Sequence, residues 1–410
     1  MGKPLVIKTT YTDEAFQVAN RGDSVEVNFY RGDYVAYRAY VGKSIRVYSS
    51  TAEKEHLITP LVEKVSGIDT DVEAAAEEFY RGEFSAGREM SVDYAEEIVE
   101  MLSNEFRARG LQAEVILVSH HEVVEHVVKD YEARAREERW LHELYVYPYA
   151  LQMGHLASSS KLLASSDPKH LVGKLENLVE TLVEKISLQL NARAFNPLNV
   201  GKWTTLLSGD AACAFYHELA HLLQADEPIK LPIDAETKEG VVMVEDPFYP
   251  GPLQRVFDDE QYPAWRRVLL DNGVVVDYLR TRLTSNGSKP GNARGLFTKP
   301  KPMHHQLVVK PGDWRVREVF EEFERLIVVE NIAKAEMHGN YVDVIPEHAL
   351  ICEKEKCTPV RGFALKIPIV KLSDVLIGLT RDINSRYSYE KSTPLYEVAP
   401  STIVNSRVVV

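Results

Sequence analysis

Between residues 113 and 151 the chain reads AEVILVSHHEVVEHVVKDYEARAREERWLHELYVYPYAL. β-Branched and aromatic residues dominate this stretch, and such residues suit a pleated, half-buried surface, so a meander of strands is expected. Helices can then only be fitted around the sheet. Residues 24–50 alternate with period two (Val25, Val27, Phe29, then Tyr34, Ala36 and Arg38), which predicts three short antiparallel strands ending near SIRVYSS. The RGD at 31–33, between SVEVNFY and YVAYRAY, reads as a Gly-Asp hairpin turn. Strands interleaved with isolated helices predict an α+β fold rather than a doubly wound sheet.

The helices are expected at 69–80, at 91–109 and from Asp167-Pro168 to just before Pro197, with one more at 314–327. In the second, Tyr94, Ile98, Met101, Leu102 and Phe106 form one stripe behind a Ser91 cap. The third carries Leu171, Leu175, Leu178, Leu182 and Ile186 on one side. A chain of 410 residues is too long for one small core. We place the boundary near Pro197–Val200. This gives an N-terminal strand-and-helix domain (1–198, sub-segments 1–90 and 91–198) and a C-terminal strand-rich domain (199–410).

Composition excludes some classes. A net charge of −13 argues against broad contact with a phosphate backbone, so no direct nucleic-acid partner is expected. No apolar run approaches a membrane span, and the N-terminus lacks the apolar core of a signal peptide, so a cytoplasmic location is expected. The three cysteines, Cys213, Cys352 and Cys357, offer no disulfide framework; the last two read as thiols near a surface turn.

Two strings carry chemistry: HEVVEH at 121–126 and HELAH at 217–221. In a strand, His121 and His126 are an odd number of residues apart and face opposite sides. In a helix they would be about 140° apart. Neither geometry brings both rings to one ion, so solvated or edge-strand residues are expected there. In HELAH, His217 and His221 lie one helical turn apart, about 40° around the axis, and both can reach one zinc. Glu218 projects to the side, near enough to act on water without ligating. Ser208-Gly-Asp210 supplies caps, and AACAFYHELAHLL contains no breaker. Ala212, Phe215, Leu219, Leu222 and Leu223 form the apolar stripe, and the histidines lie opposite, flanked by Ala214 and Ala220.

The order of segments from about residue 200 resembles the TldD/PmbA family, specifically the TldD-like metallopeptidases once labelled modulators of DNA gyrase. TLLSGDAACAFYHELAHLLQAD stands where that family has a strand and a helix with two histidines and a glutamate. VFDDEQYPAWRRVLLDNGVVVDYL matches its Asp-Asp-Glu segment and strand–turn–strand. GNARG at 291–295, PMHHQLVVKPGD and ALICEKEKCTPVRG follow in the family's order. Two departures stand out. The family spaces its histidines HExxxH, one residue wider than here. It also takes a third zinc ligand from a cysteine near the C-terminus, and the matching segment SRYSYEKSTP (385–394) has none. Cys213, two turns before His221 and about 12 Å along the axis, is too far to share the ion. His305, His304, His338, Asp226 and Glu227 remain open for the third position, with His305 favoured because it maps to the family's active-site strand.

The resemblance implies a zinc-dependent metallopeptidase acting on short or unfolded peptides, as a homodimer or a heterodimer with a PmbA/TldE-like subunit. His217 and His221 would ligate Zn²⁺ and Glu218 would act as general base. Arg294 and Asn292 of GNARG are candidate substrate-binding residues, and a peptide would lie extended along a sheet edge. Two alternatives are a non-catalytic subunit of such a complex and a regulator binding DNA gyrase or another protein.

Overall fold

The computed structural model describes residues 5–22, 24–41, 44–51, 78–152, 154–238, 240–354, 356–369 and 372–410. The fold is α+β, built on two sheets. The stretch 113–151 becomes two long antiparallel strands, Gln112–Val128 and Ala133–Gln152, paired from Gln112↔Tyr149 to Val128↔Ala133. Leu5–Arg21 pairs with Gln112–Val128 on its far side, then Val25–Val41 and Ser44–Ser50 extend the sheet. Gly82–Ala86 closes the other edge in parallel with Ala133–Gln152.

The RGD at 31–33 is not a turn. Val25–Val41 runs unbroken through Arg31, Gly32 and Asp33, with Thr12↔Asp33 in register. The chain reverses earlier, after Arg21, where Gly22 takes φ +97° and Asn20 pairs with Val25. The alternation at 24–50 therefore continues across Gly-Asp instead of pausing there. HEVVEH also departs from expectation, since its strand is interior to the sheet. His126 is fully buried, while His121 is partly buried and stacks on Trp140 at 4.3 Å.

The helix Val92–Ala108 covers one face of this sheet, with Ser91 Oγ accepting from Tyr94 N–H. Its buried side is Ala95, Ile98, Val99, Leu102 and Phe106, a slight rotation from the expected stripe that leaves Met101 46% exposed. The long helix expected before Pro197 is two helices, Pro168–Gly173 and Leu178–Asn191. Asn177, at φ +61°, breaks the helical path between them. The helix expected at 314–327 shortens to Val316–Glu322, because the β-branched run after it enters the strand Arg325–Val329. The helix expected at 69–80 falls mainly outside the described residues.

The larger sheet is organised on Thr393–Val409. That strand pairs with Gly201–Leu207, Leu376–Glu390 and Ala364–Pro368 antiparallel, and with Gln306–Val309 in parallel. Gly201–Leu207 feeds the helix Gly209–His221, which carries HELAH and packs into the main apolar core. Cys352 and Cys357 face each other across the hairpin Ala349–Glu353/Lys356–Arg361 and are disulfide-bonded, where free thiols were expected. Cys213 is buried and free. Among the described residues, no helix is long and apolar enough to cross a membrane.

Candidate metal centre

The histidine helix begins directly after a strand, and the junction sets where its side chains point. Gly209 makes the turn at φ +52°, where a Cβ would stand 3.1 Å from the Glu330 carbonyl oxygen. Ser208 sits at the N-cap, but its hydroxyl accepts from Ser401 and does not cap. Instead the Gly209 N–H donates to Asn384 Oδ1 at 3.1 Å. The helix is thus pinned to the strand Leu376–Glu390 from its first residue.

His217 and His221 follow one turn apart, with ring centroids 5.3 Å from each other. The ligand atoms of His217, Glu218 and His221 all lie within 4.8 Å of one another. They open onto a cleft of about 430 Å³, also lined by Lys334, Glu336 and Ser388. Ala214 forms part of its wall, a small residue that keeps the histidine face clear.

The hairpin Leu376–Glu390/Thr393–Val409 supplies the facing side. Residues two apart on a strand share a face, so Arg386, Ser388 and Glu390 all line the cleft. The intervening Tyr387 and Tyr389 turn their hydroxyls to Glu143 on the first sheet. Glu390 Oε2 lies 3.7 Å from His217 Nε2 and 3.7 Å from His221 Nε2. Its other oxygen is 3.1 Å from Lys391 Nζ. Two imidazoles with a carboxylate nearby, beside an accessible cleft, are a donor set that suits a divalent ion.

Behind the histidine pair, Glu397 is fully buried and accepts from His217 Nδ1 at 2.9 Å and Ser388 Oγ at 3.0 Å. A carboxylate on Nδ1 fixes the tautomer and leaves Nε2 for the ion. His304 Nε2 lies 3.4 Å from the same oxygen, and His217, His304 and Glu397 form a second close group. Burial opposes the Glu397 charge, but the bonds to His217 and His304, with Arg386 nearby, hold its carboxyl well below the usual range. Burial likewise opposes charging of His217, yet the Glu397 bond and charge raise its pKa. Burial lowers the pKa of His304. At His221 the partner of Nδ1 is the Gln224 amide at 3.2 Å. An amide exchanges donor for acceptor by half a turn, so Gln224 can accept from an Nδ1–H when Nε2 is ligated.

Glu218 lines the same cleft and is held by a backbone donor. Its Oε2 accepts from Met337 N–H at 2.7 Å. Met337 belongs to the strand Ile332–His338, which pairs only with Tyr341–Pro346 among the described residues and so has an unpaired edge.

The other expected residues stand elsewhere. His305, favoured as third ligand, is turned away. Its Nδ1 lies 3.3 Å from Glu245 Oε1 and its Nε2 3.3 Å from Arg255 Nη1, and burial pushes its pKa well down. Consecutive residues point to opposite sides, so His304 is the one that approaches the pair. His338, Asp226 and Glu227 do not line the cleft. Arg294 and Asn292, expected to bind substrate, are buried and do not line the cleft. Arg294 Nη2 donates to Pro394 O, and Asn292 Nδ2 to Glu245 Oε2.

The Asp-Asp-Glu segment explains why GNARG sits there. Asp258 Oδ2 accepts from Ala293 N–H, and Asp259 Oδ2 accepts from Gly295 N–H. Arg255 bridges Asp259 at 2.6 Å to Glu137 of the first sheet at 3.0 Å. These charges tie the Asp-Asp-Glu segment to the N-terminal sheet. Glu390, Glu397 and Ser388 were not found by sequence. In SRYSYEK the period-two alternation of polar residues with Tyr387 and Tyr389 marks one shared face, but nothing in it says what that face meets.

Residues 236–409 match the model of the PmbA/TldA metallopeptidase C-terminal domain. A metalloprotease of Methanocaldococcus jannaschii is 26% identical over 161 residues, which are 36% of this chain and only 36% of that protein's length. Among solved structures, the fold is shared with a candidate modulator of a DNA gyrase from Thermotoga maritima, at TM-score 0.78 and 15% identity, covering 99% of this chain and 96% of that one. It is shared with TldE from Thermococcus kodakarensis at TM-score 0.75 and 13% identity, covering 99% and 97%.

Proposed function

We propose that the chain, whose residues 236–409 match the PmbA/TldA metallopeptidase C-terminal domain, is a zinc-dependent peptidase of that family acting on short or unfolded peptides. The observation that carries this reading is the helical group His217, Glu218 and His221, its ligand atoms within 4.8 Å of one another and open to a cleft. His217 and His221 hold the ion through Nε2. A bound divalent ion supplies polarisation of the scissile carbonyl and acidifies water. Glu218 takes the proton of the attacking water and returns it to the leaving amine. Its bond to Met337 N–H fixes it beside a strand with an unpaired edge, where an extended chain can add as one more strand. Glu397 holds His217 in the ligating tautomer. Lys334, Lys391 and Arg386 line the cleft and provide positive charge for substrate carboxylates.

We further propose that the chain assembles with a second subunit of the same fold, as a homodimer or with a PmbA/TldE-like partner. The test is hydrolysis of an unstructured peptide library by wild type and Glu218→Gln, with metal content measured on both. We expect Glu218→Gln to keep its ion and lose roughly 10²–10⁴-fold in rate. Unchanged hydrolysis, or none in either protein, would favour a non-catalytic subunit or a protein-binding regulator.

A further inference from the structure

Two histidines on one helical turn supply two ligands, and a catalytic zinc site takes three from the protein. The third must come from another element. Glu218 is engaged by Met337 N–H, His304 lies on Glu397 behind His217, and His305 faces Glu245. Glu390 is different: one of its oxygens stands at equal distance, 3.7 Å, from the two Nε2 atoms. With metal–ligand bonds of about 2.1 Å, two ligand atoms of a tetrahedral ion are about 3.4 Å apart. Each histidine Nε2 therefore stands close to ligand spacing from this oxygen before any ion is considered.

The backbone supports the same role. Glu390 is the last residue of Leu376–Glu390, paired with Thr393 across a two-residue turn. Lys391 and Ser392 take φ +49° and +63°, the left-handed pair of a tight hairpin turn that matches strand twist. Ser388 on the same face is bonded to Glu397, and Glu397 to His217. A ligand on a rigid strand end, cross-braced to another ligand, is the kind of support a precise site needs. Lys391 engages Oε1, leaving Oε2 for a single bond to the ion.

Resting on the proposed His217–His221 site, we propose that Glu390 Oε2 is the third metal ligand, giving a two-histidine, one-carboxylate centre. The alternative is that Glu390 only forms ion pairs with protonated histidines. The full chain, stripped of metal, is titrated with Zn²⁺ against a competing chelator, and with Co²⁺ for its absorption spectrum. Wild type, Glu390→Ala and Glu390→Cys are compared after their folding has been checked by circular dichroism. We expect wild type to bind one ion and Glu390→Ala to bind it at least roughly 100-fold more weakly. Glu390→Cys should recover binding and show a thiolate-to-cobalt charge-transfer band that wild type lacks. Equal affinity in wild type and Glu390→Ala, or a thiolate band absent from cobalt-loaded Glu390→Cys, overturns this ligand alone. Wild type that takes up no ion overturns the two-histidine site and this proposal with it.

Discussion

HEVVEH and HELAH use nearly the same letters and end in opposite circumstances. In the strand Gln112–Val128 the two histidines diverge: His121 lies against Trp140 and bonds Glu138, while His126 is buried against Thr9 and Phe257. In the helix Gly209–His221 they converge, and a carboxylate from another strand lies 3.7 Å from both. Period decides this, because five residues along a strand reverse the face and four along a helix nearly restore it. The surroundings differ in kind as well. His126 is paired to a hydroxyl and has no partner on Nε2 among the described residues. His217 has a carboxylate on each ring nitrogen. One string packs a sheet and the other is equipped to hold charge.

Five changes test that division, from the largest expected effect downwards. His217→Ala should abolish peptide hydrolysis and metal uptake together, and an assay of rate with bound metal would expose either surviving alone. His126→Ala should leave the site intact but cost about 2–4 kcal/mol of stability, as a buried side chain and its hydrogen bond are lost. Urea unfolding measures it, and a loss of metal without loss of stability would break the comparison. Glu397→Gln should weaken zinc binding about 10–100-fold through His217 orientation, read by chelator competition.

Acid response distinguishes the strings again. Burial, with Arg38 and Arg255 nearby, pushes the His126 pKa to about 3, against an ordinary value near 6.5. The unfolded chain then binds the extra proton between those values, so stability falls as pH drops from about 6.5 towards about 3. The slope from this one group is at most about 1.4 kcal/mol per pH unit, and His126→Gln should remove it from the pH dependence of urea midpoints. A wild-type acid slope left unchanged by that substitution would contradict the assignment. The smallest effect is expected at His121→Ala, under about 1 kcal/mol, since its ion pair is partly exposed.

Local periodicity made much of this legible. The strands at 113–151, the helix at 92–108 and the pairing of His217 with His221 all follow from spacing within one element. The errors arose where two elements had to be related. His304 and His305 differ by one residue, and only the pairing of Gln306–Val309 with Tyr396–Val398 decides which of them turns to the histidine helix. Glu390 meets the histidines because Leu376–Glu390 is held beside Thr393–Val409, a register no local pattern encodes. Over 168–197 the apolar stripe persists across Asn177, where the backbone turns left-handed and splits the helix in two. At 31–33, Gly-Asp carries turn chemistry, yet strong alternation on both sides carries the strand through.

The most direct test is metal content per chain, by elemental analysis of wild type, His217→Ala/His221→Ala and His121→Ala/His126→Gln. The account predicts near-stoichiometric zinc in wild type and in the strand variant, and none in the helix variant. Zinc retained without His217 and His221, or lost on changing the strand pair alone, would contradict it.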